Sequence, residues 1–205
     1  MPFNLLSGQI KMKQHRPLCL ASGSPRRKEL LEQFGLQFEI YPVDVDESEV
    51  GGESPETHVA RLAGLKAKMA RHRFGDHVVL AGDTVVADDD KILGKPKNAS
   101  HARAMLRQLS GKTHRVLTAY HLWDTSSDTQ CANTTVTEVT FRPLTEAWLD
   151  YYTSLPECLD KAGGYGIQGV GGAMVKEIHG SYNTVVGFPI ESILWDLVEN
   201  GWVEL

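Results

Sequence analysis

Two hydrophobic periods alternate along the chain, one suited to strands and one to helices. Leu18 to Ala21 is a short apolar run that predicts a buried strand, and Arg26 to Phe34 follows with Leu30, Leu31 and Phe34 on one helical face, stopped by Gly35. A strand-turn-helix unit results. Phe38 to Val43 predicts a second strand, and Ser54-Pro55-Glu56 reads as the start of a helix running to His72, with Val59, Leu62, Ala63 and Lys66 on neighbouring faces. His77 to Val86 is the most apolar strand candidate, and its pattern is interrupted by Gly82 and Asp83.

Beyond the polar loop Asp88 to Lys91 and the turn Gly94-Lys95-Pro96, an apolar stripe of Ala102, Met105, Leu106 and Leu109 predicts a helix from Ser100 to Leu109. Thr113 to Trp123 and Thr134 to Phe141 read as a hairpin across the polar segment 124–133. Glu146 to Ser154 predicts a helix, Gly163 to Gly172 a glycine-dense loop, Ala173 to His179 a strand and Pro189 to Asn200 a terminal helix. The alternation gives an α/β class with a mixed sheet, and no internal repeat appears.

Composition narrows the picture without changing it. With 205 residues, 41% apolar and 23% charged, one well-buried core or two lobes sharing a cleft can form. The formal charge of −5 argues against a broad footprint for nucleic acid, so an anionic ligand must be held locally. The three cysteines, Cys19, Cys131 and Cys158, are far apart and form no C-x-x-C pair, which disfavours a disulfide framework or a zinc site. Without a signal-length or membrane-length apolar run, the expectation is a cytoplasmic protein with no membrane contact. Residues 1–16 read as a flexible N-terminal extension to a single domain over 17–205.

Candidate chemistry gathers in few places. Leu20-Ala21-Ser22-Gly23-Ser24-Pro25-Arg26-Arg27 ends a strand in hydroxyl residues and places two guanidiniums at a helix start, an arrangement suited to phosphate. Taken alone, it reads equally as a turn capped by Ser24 with two solvated arginines. Asp83 stands between Val78-Val79-Leu80-Ala81-Gly82 and Thr84-Val85-Val86, where a charge is costly unless it binds a cation or is fully hydrogen-bonded. It is the best candidate for a base or metal ligand. The carboxylates Asp44, Asp46, Glu47 and Glu49 each fit a solvated loop, and Lys66 and Lys95 each fit a surface lysine. In the glycine-dense segment, Tyr165 and Gln168 are the side chains suited to reading a base edge, since a glutamine donates and accepts together. His114 fits support of a strand end better than metal ligation.

Read as a series, these stretches resemble the Maf family of nucleoside triphosphate pyrophosphatases from about Leu18 to Trp202. Its carriers are the Ser22 to Arg27 turn, Val45-Asp46-Glu47, Arg61-Leu62-Ala63 with Lys66-Ala67, Gly82 to Val86, Gly94-Lys95-Pro96, and Leu109-Ser110-Gly111 with His114. Asp160-Lys161-Ala162-Gly163, Tyr165 to Gly169, Gly180-Ser181-Tyr182 and Val185 to Pro189 complete the set.

The resemblance implies a long mixed sheet with flanking helices forming two lobes around a cleft, similar to the inosine-triphosphate-pyrophosphatase-like fold. The phosphate receptor and Asp83 would face each other across that cleft. It also implies cleavage of a nucleoside triphosphate to the monophosphate and pyrophosphate with Mg2+ or Mn2+. Carried over, Asp83 is the base, Ser22, Arg27, Lys66 and Lys95 hold phosphate, and Glu47 with Asp83 places the metal. Arg26, Thr84 and Gln168 match the branch resembling dTTP/UTP pyrophosphatases, where the 7-methyl-GTP branch has tryptophan, glutamine and glutamate. Rival readings are a triphosphate-sensing regulator of septation without turnover and an enzyme for 7-methyl-GTP or inosine triphosphate. A homodimer is left open. Two departures stand inside the matched stretch: Ala81-Gly82 reverses a more usual Gly-Ala order, and Ala119-Tyr120 replaces a common glycine after Thr118.

Overall fold

The computed structural model describes residues 12–205. Strands β1 (Lys13–Gln14), β2 (Leu18–Leu20) and β3 (Phe38–Ile40) are followed by β4 (Val78–Asp88), β5 (Lys91–Leu93), β6 (Thr113–Asp124), β7 (Gln130–Phe141), β8 (Val175–His179) and β9 (Val203–Glu204). Helices are α1 (Pro25–Gln33), α2 (Pro55–Arg71), α3 (Ala99–Leu109), α4 (Glu146–Thr153), α5 (Tyr182–Val186) and α6 (Ile190–Glu199). Seven strands form one mixed sheet in the order β3-β2-β4-β6-β7-β8, with β5 attached to β4. Strand β2 runs parallel to β3 and β4, and the remaining pairings are antiparallel.

The period of two in β4 sorts its side chains onto opposite faces of the sheet. On one face, Val79, Ala81, Val85 and Ala87 pack under α2 through Val59, Ala63, Ala67 and Ala70. The other face carries two separate cores. Val78 and Leu80 join α1 and α6 through Leu30, Leu31, Ile193 and Leu197, whereas Val86 joins α3 and α4 through Leu106, Leu109 and Leu149. Two lobes therefore share one sheet, and Gly82 to Val85 is the stretch of β4 between them.

The same stretch lacks a strand neighbour on one edge. Strand β2 pairs with β4 only as far as Leu20 opposite Leu80, and β5 begins opposite Val86. On the other edge β6 pairs without a break from Val78 to Ala87. Residues 82–85 thus border a slot in the sheet, which opens onto both faces.

Several boundaries differ from the sequence pattern. Gly82 and Asp83 do not interrupt β4, which continues for 11 residues because β6 supports it throughout. The Ala81-Gly82 order fits this strand: Ala81 is fully buried, and a Cβ on Gly82 would meet Ala119 O and Phe188 Cε2 at 3.0 Å. The loop after Asp88 is a tight turn into the short strand β5, and β7 begins at Gln130, four residues before its predicted start at Thr134. Of the segment 1–16, residues 1–11 lie outside the described residues. Lys13–Gln14 pairs with Val203–Glu204, and Arg16 Nη2 donates to Asp124 Oδ2 at 3.4 Å and to Ser126 Oγ at 2.5 Å.

Candidate active site

A cleft of about 680 Å³ surrounds the slot, lined by the β2–α1 turn, Glu47, Lys66, Asp83 to Val86, Lys95 and the segment from Asp160 to Gln168. The β2–α1 turn and β4 deliver the central groups as neighbours. Because β2 and β4 lie side by side, the turn that follows β2 and the middle of β4 bring Ser22, Arg27 and Asp83 to the same cleft. Pro25 opens α1, as its missing N–H allows, but Ser24 caps nothing: its side chain makes no capping hydrogen bond.

Arg27 is buried and immobilised by three different partners. Its Nε donates to Gly187 O at 2.8 Å, Nη1 to Ser22 Oγ at 3.1 Å and Nη2 to Thr84 Oγ1 at 3.1 Å. Burial pulls its pKa below the ordinary value, opposed by the nearby Asp83 and Glu47 carboxylates. With three of five N–H groups committed, the remaining two can meet an anion without side-chain ordering. Arg26 donates to the adjacent Val186 O at 3.2 Å, so both guanidiniums of the turn are seated on the α5 C-terminus.

Gly187 makes that seat possible with φ of 114°, a conformation side chains rarely adopt. The Val185 to Pro189 stretch carries the family resemblance, but its residue types point to no task. The available signal was a glycine after a short helix and just before Phe188-Pro189, a helix-ending pattern whose freed carbonyls become acceptors.

On the α2 side of the sheet, Lys66 reaches Asp83. Its Nζ donates to Asp83 Oδ1 at 2.6 Å and to Glu47 Oε1 at 2.7 Å, so one ammonium gathers two carboxylates. Burial raises the Glu47 pKa, but the hydrogen bond and charge of Lys66, with Lys95 and Arg27 behind it, bring it below the ordinary value. The loop carrying Glu47 is itself clamped. Arg61 Nε and Nη2 grip both oxygens of Glu53 at 2.9 and 2.6 Å, and Nη2 also donates to Ser48 O at 2.9 Å, next in sequence to Glu47. His58 Nδ1 adds a 2.6 Å contact to the same Glu53. Sequence reasoning missed Glu53 and His58, since nothing in an acidic loop marks which carboxylate folds inward.

Thr84 and Asp83 point to opposite faces, and the slot lets both border the cleft. The Thr84 hydroxyl is engaged by Arg27, by Thr118 Oγ1 at 2.9 Å and by Gly187 O at 3.4 Å. Lys95 and Gln168 are exposed and line the cleft. Tyr165 differs from the expectation of a base-reading hydroxyl. Tyr165 is buried at the cleft wall, and its Oη is engaged by His114 Nε2 at 2.7 Å.

Among the described residues, no group of three or more His, Cys, Asp or Glu side chains forms a metal cage. Glu47 and Asp83 nevertheless suit Mg2+, which is commonly held by one or two carboxylates with phosphate oxygens and waters completing its octahedron. No helix among the described residues is long and apolar enough to cross a membrane.

The family model described as Maf-like protein matches residues 17–199, nearly the whole described chain. The chain belongs to the Maf family. This Maf protein is 46% identical over 182 residues to the dTTP/UTP pyrophosphatase of Bacillus cereus strain AH820, covering 89% of this chain and 94% of that one. It is 47% identical over 174 residues to the dTTP/UTP pyrophosphatase of Escherichia coli K12, covering 84% and 87%. The solved structure of the Staphylococcus aureus Ham1 protein overlaps the Maf chain more loosely, with a TM-score of 0.43 and 13% identity over 62% of this chain and 72% of that one. Membership of the family does not rest on it.

Proposed function

We propose that this protein is a nucleotide pyrophosphatase that cleaves dTTP and UTP between the α- and β-phosphates, releasing the monophosphate and pyrophosphate. The observation that carries the reading is that Asp83, Lys66 and Glu47 share one cleft with Arg26, Thr84 and Gln168. The names of the Bacillus and Escherichia relatives support the same substrates.

Each residue then has a task set by its position. Asp83 Oδ1 is held by Lys66, which leaves Oδ2 to orient a water and take its proton during in-line attack on phosphorus. Arg27, fixed before the ligand arrives, and Ser22 beside it hold phosphate oxygens, with Lys95 adding charge from the exposed side. Lys66 orients Asp83 and neutralises charge that develops on the phosphates. Glu47 and Asp83 would hold a divalent cation, Mg2+ or Mn2+, which supplies Lewis-acid neutralisation of phosphate charge. Gln168 reads the pyrimidine edge, and a substrate of this class is consistent with a cytoplasmic protein.

The test is pyrophosphate release with Mg2+ or Mn2+ from dTTP, UTP, CTP, GTP, 7-methyl-GTP and ITP. Preference for dTTP and UTP is expected. Release from 7-methyl-GTP or ITP alone would overturn the specificity, and binding of all six without release would make the protein a sensor rather than an enzyme.

A further inference from the structure

We infer that Tyr152 and Glu157 form a positioning relay that holds Gln168 against the nucleotide base. The inference rests on the reading of Gln168 as the base-contacting side chain and adds what fixes its place.

Gln168 is exposed in a turn, and a flexible glutamine on a glycine-rich loop would be a poor discriminator because ordering it costs entropy. The loop is held at two points by one chain of hydrogen bonds. Gly166 N donates to Tyr152 Oη at 3.0 Å, Tyr152 Oη donates to Glu157 Oε1 at 2.9 Å, and Gly171 N donates to the same Oε1 at 3.2 Å. The two backbone amides flank Ile167-Gln168-Gly169-Val170, so the span that carries Gln168 is clasped at both ends by a single phenol-carboxylate pair.

The anchor is rigid. Tyr152 is fully buried on α4, in the core that also contains Leu149, Cys158 and Tyr165. Burial raises its phenol pKa well above the ordinary value, so it stays protonated and can donate while it accepts. The glycines record how closely the loop wraps the relay. A Cβ on Gly171 would meet Gly166 O at 2.6 Å and Tyr152 Oη at 2.8 Å, and a Cβ on Gly169 would strike the Glu157 carboxylate. These glycines are required by close approach to the relay, not by turn geometry alone.

The relay makes no hydrogen bond to Ser22, Arg27, Lys66, Lys95 or Asp83. Its loss should therefore loosen base selection and spare the chemistry. The experiment compares Tyr152→Phe, Glu157→Ala, Glu157→Gln and Gln168→Ala in the full chain. For each, kcat and KM are measured for dTTP and CTP, with inhibition by inorganic tripolyphosphate as a probe of the phosphate site alone and thermal unfolding as a check on folding.

Tyr152→Phe keeps the ring and removes only the hydroxyl, leaving Gly166 N without its partner. KM for dTTP is expected to rise on the order of tenfold, with kcat, the CTP constants and tripolyphosphate inhibition unchanged. Glu157→Ala should behave alike, and Glu157→Gln, which retains the acceptor oxygen, should restore wild-type values. Wild-type dTTP KM in both Tyr152→Phe and Glu157→Ala, alongside a raised KM in Gln168→Ala, would overturn the relay and leave the base reading intact. Equal weakening of dTTP and tripolyphosphate in Tyr152→Phe would also overturn it, revealing general damage. An unchanged dTTP KM in Gln168→Ala would remove the base reading itself, and the relay with it.

Discussion

Lys66 and Asp83 meet at 2.6 Å with side chains only 10% and 11% exposed, brought together by a helix and a strand that pack face to face. Burying the pair costs desolvation, and Lys66 keeps Glu47 as a second partner when the Asp83 charge is removed. Asp83→Asn preserves shape and hydrogen bonding to Lys66 but removes the base. Pyrophosphate release is expected to fall by roughly 10³, with nucleotide binding retained in equilibrium dialysis. Turnover at the wild-type rate would show that Asp83 is not the base.

Thr84 separates two ways in which a residue can affect selectivity. Its hydroxyl is used by Arg27 and Thr118 rather than left open to the cleft. Thr84→Val is isosteric and removes an acceptor of Arg27. KM is expected to rise for dTTP, UTP and CTP together, roughly three- to tenfold, because the guanidinium loosens toward phosphate. A KM change confined to one base would instead assign Thr84 a direct contact with that base.

The Arg61–Glu53 clamp fixes the loop that carries Glu47 without touching the cleft chemistry. Lysine cannot reproduce a two-pronged grip on a carboxylate. Arg61→Lys is expected to raise the Mg2+ concentration for half-maximal rate by roughly tenfold, with kcat restored at saturating Mg2+. Direct Mn2+ binding, followed by paramagnetic resonance of the free ion, should weaken by the same factor. An unaltered Mn2+ affinity would separate the clamp from Glu47.

His114 makes stability depend on pH. Burial lowers its pKa from 6.5 to about 4, so between those values the unfolded chain binds more protons than the folded one. Stability from this group is complete above about pH 6.5 and lost as pH falls toward 4. His121, also lowered by burial, acts in the same direction. Urea unfolding at pH 7.5 and pH 5 should differ by about 2 kcal/mol more in the wild type than in His114→Gln. An identical pH response in both would contradict this assignment.

The elements legible in the sequence were those with a strong period. The stripe of α3 and the apolar run of β4 reported themselves, and so did the turn into α1, because a proline directly after a serine marks a helix start. Pairing partners were not legible. Asp83 broke the apolar pattern of β4, yet β6 sustains the strand on its other edge, a non-local contact that no local window contains. Likewise α5 is only five residues long, and its importance lies in carbonyls that every sequence has. Side-chain types announced the candidate site, whereas Gly187, Glu53 and Tyr152 matter through where the fold puts their oxygens and backbone.

The break in pairing along residues 82–85 gives β4 a dual character. A strand with one unpartnered edge exchanges its amide hydrogens more readily than a doubly paired one, so the middle of this strand should be the soft point of an otherwise protected sheet. A bound triphosphate would lie along that edge and stand in for the missing neighbour. The ligand then acts as a removable piece of the architecture: slowed amide exchange should spread from Asp83 and Thr84 into both lobes when the slot fills, and vanish when it empties.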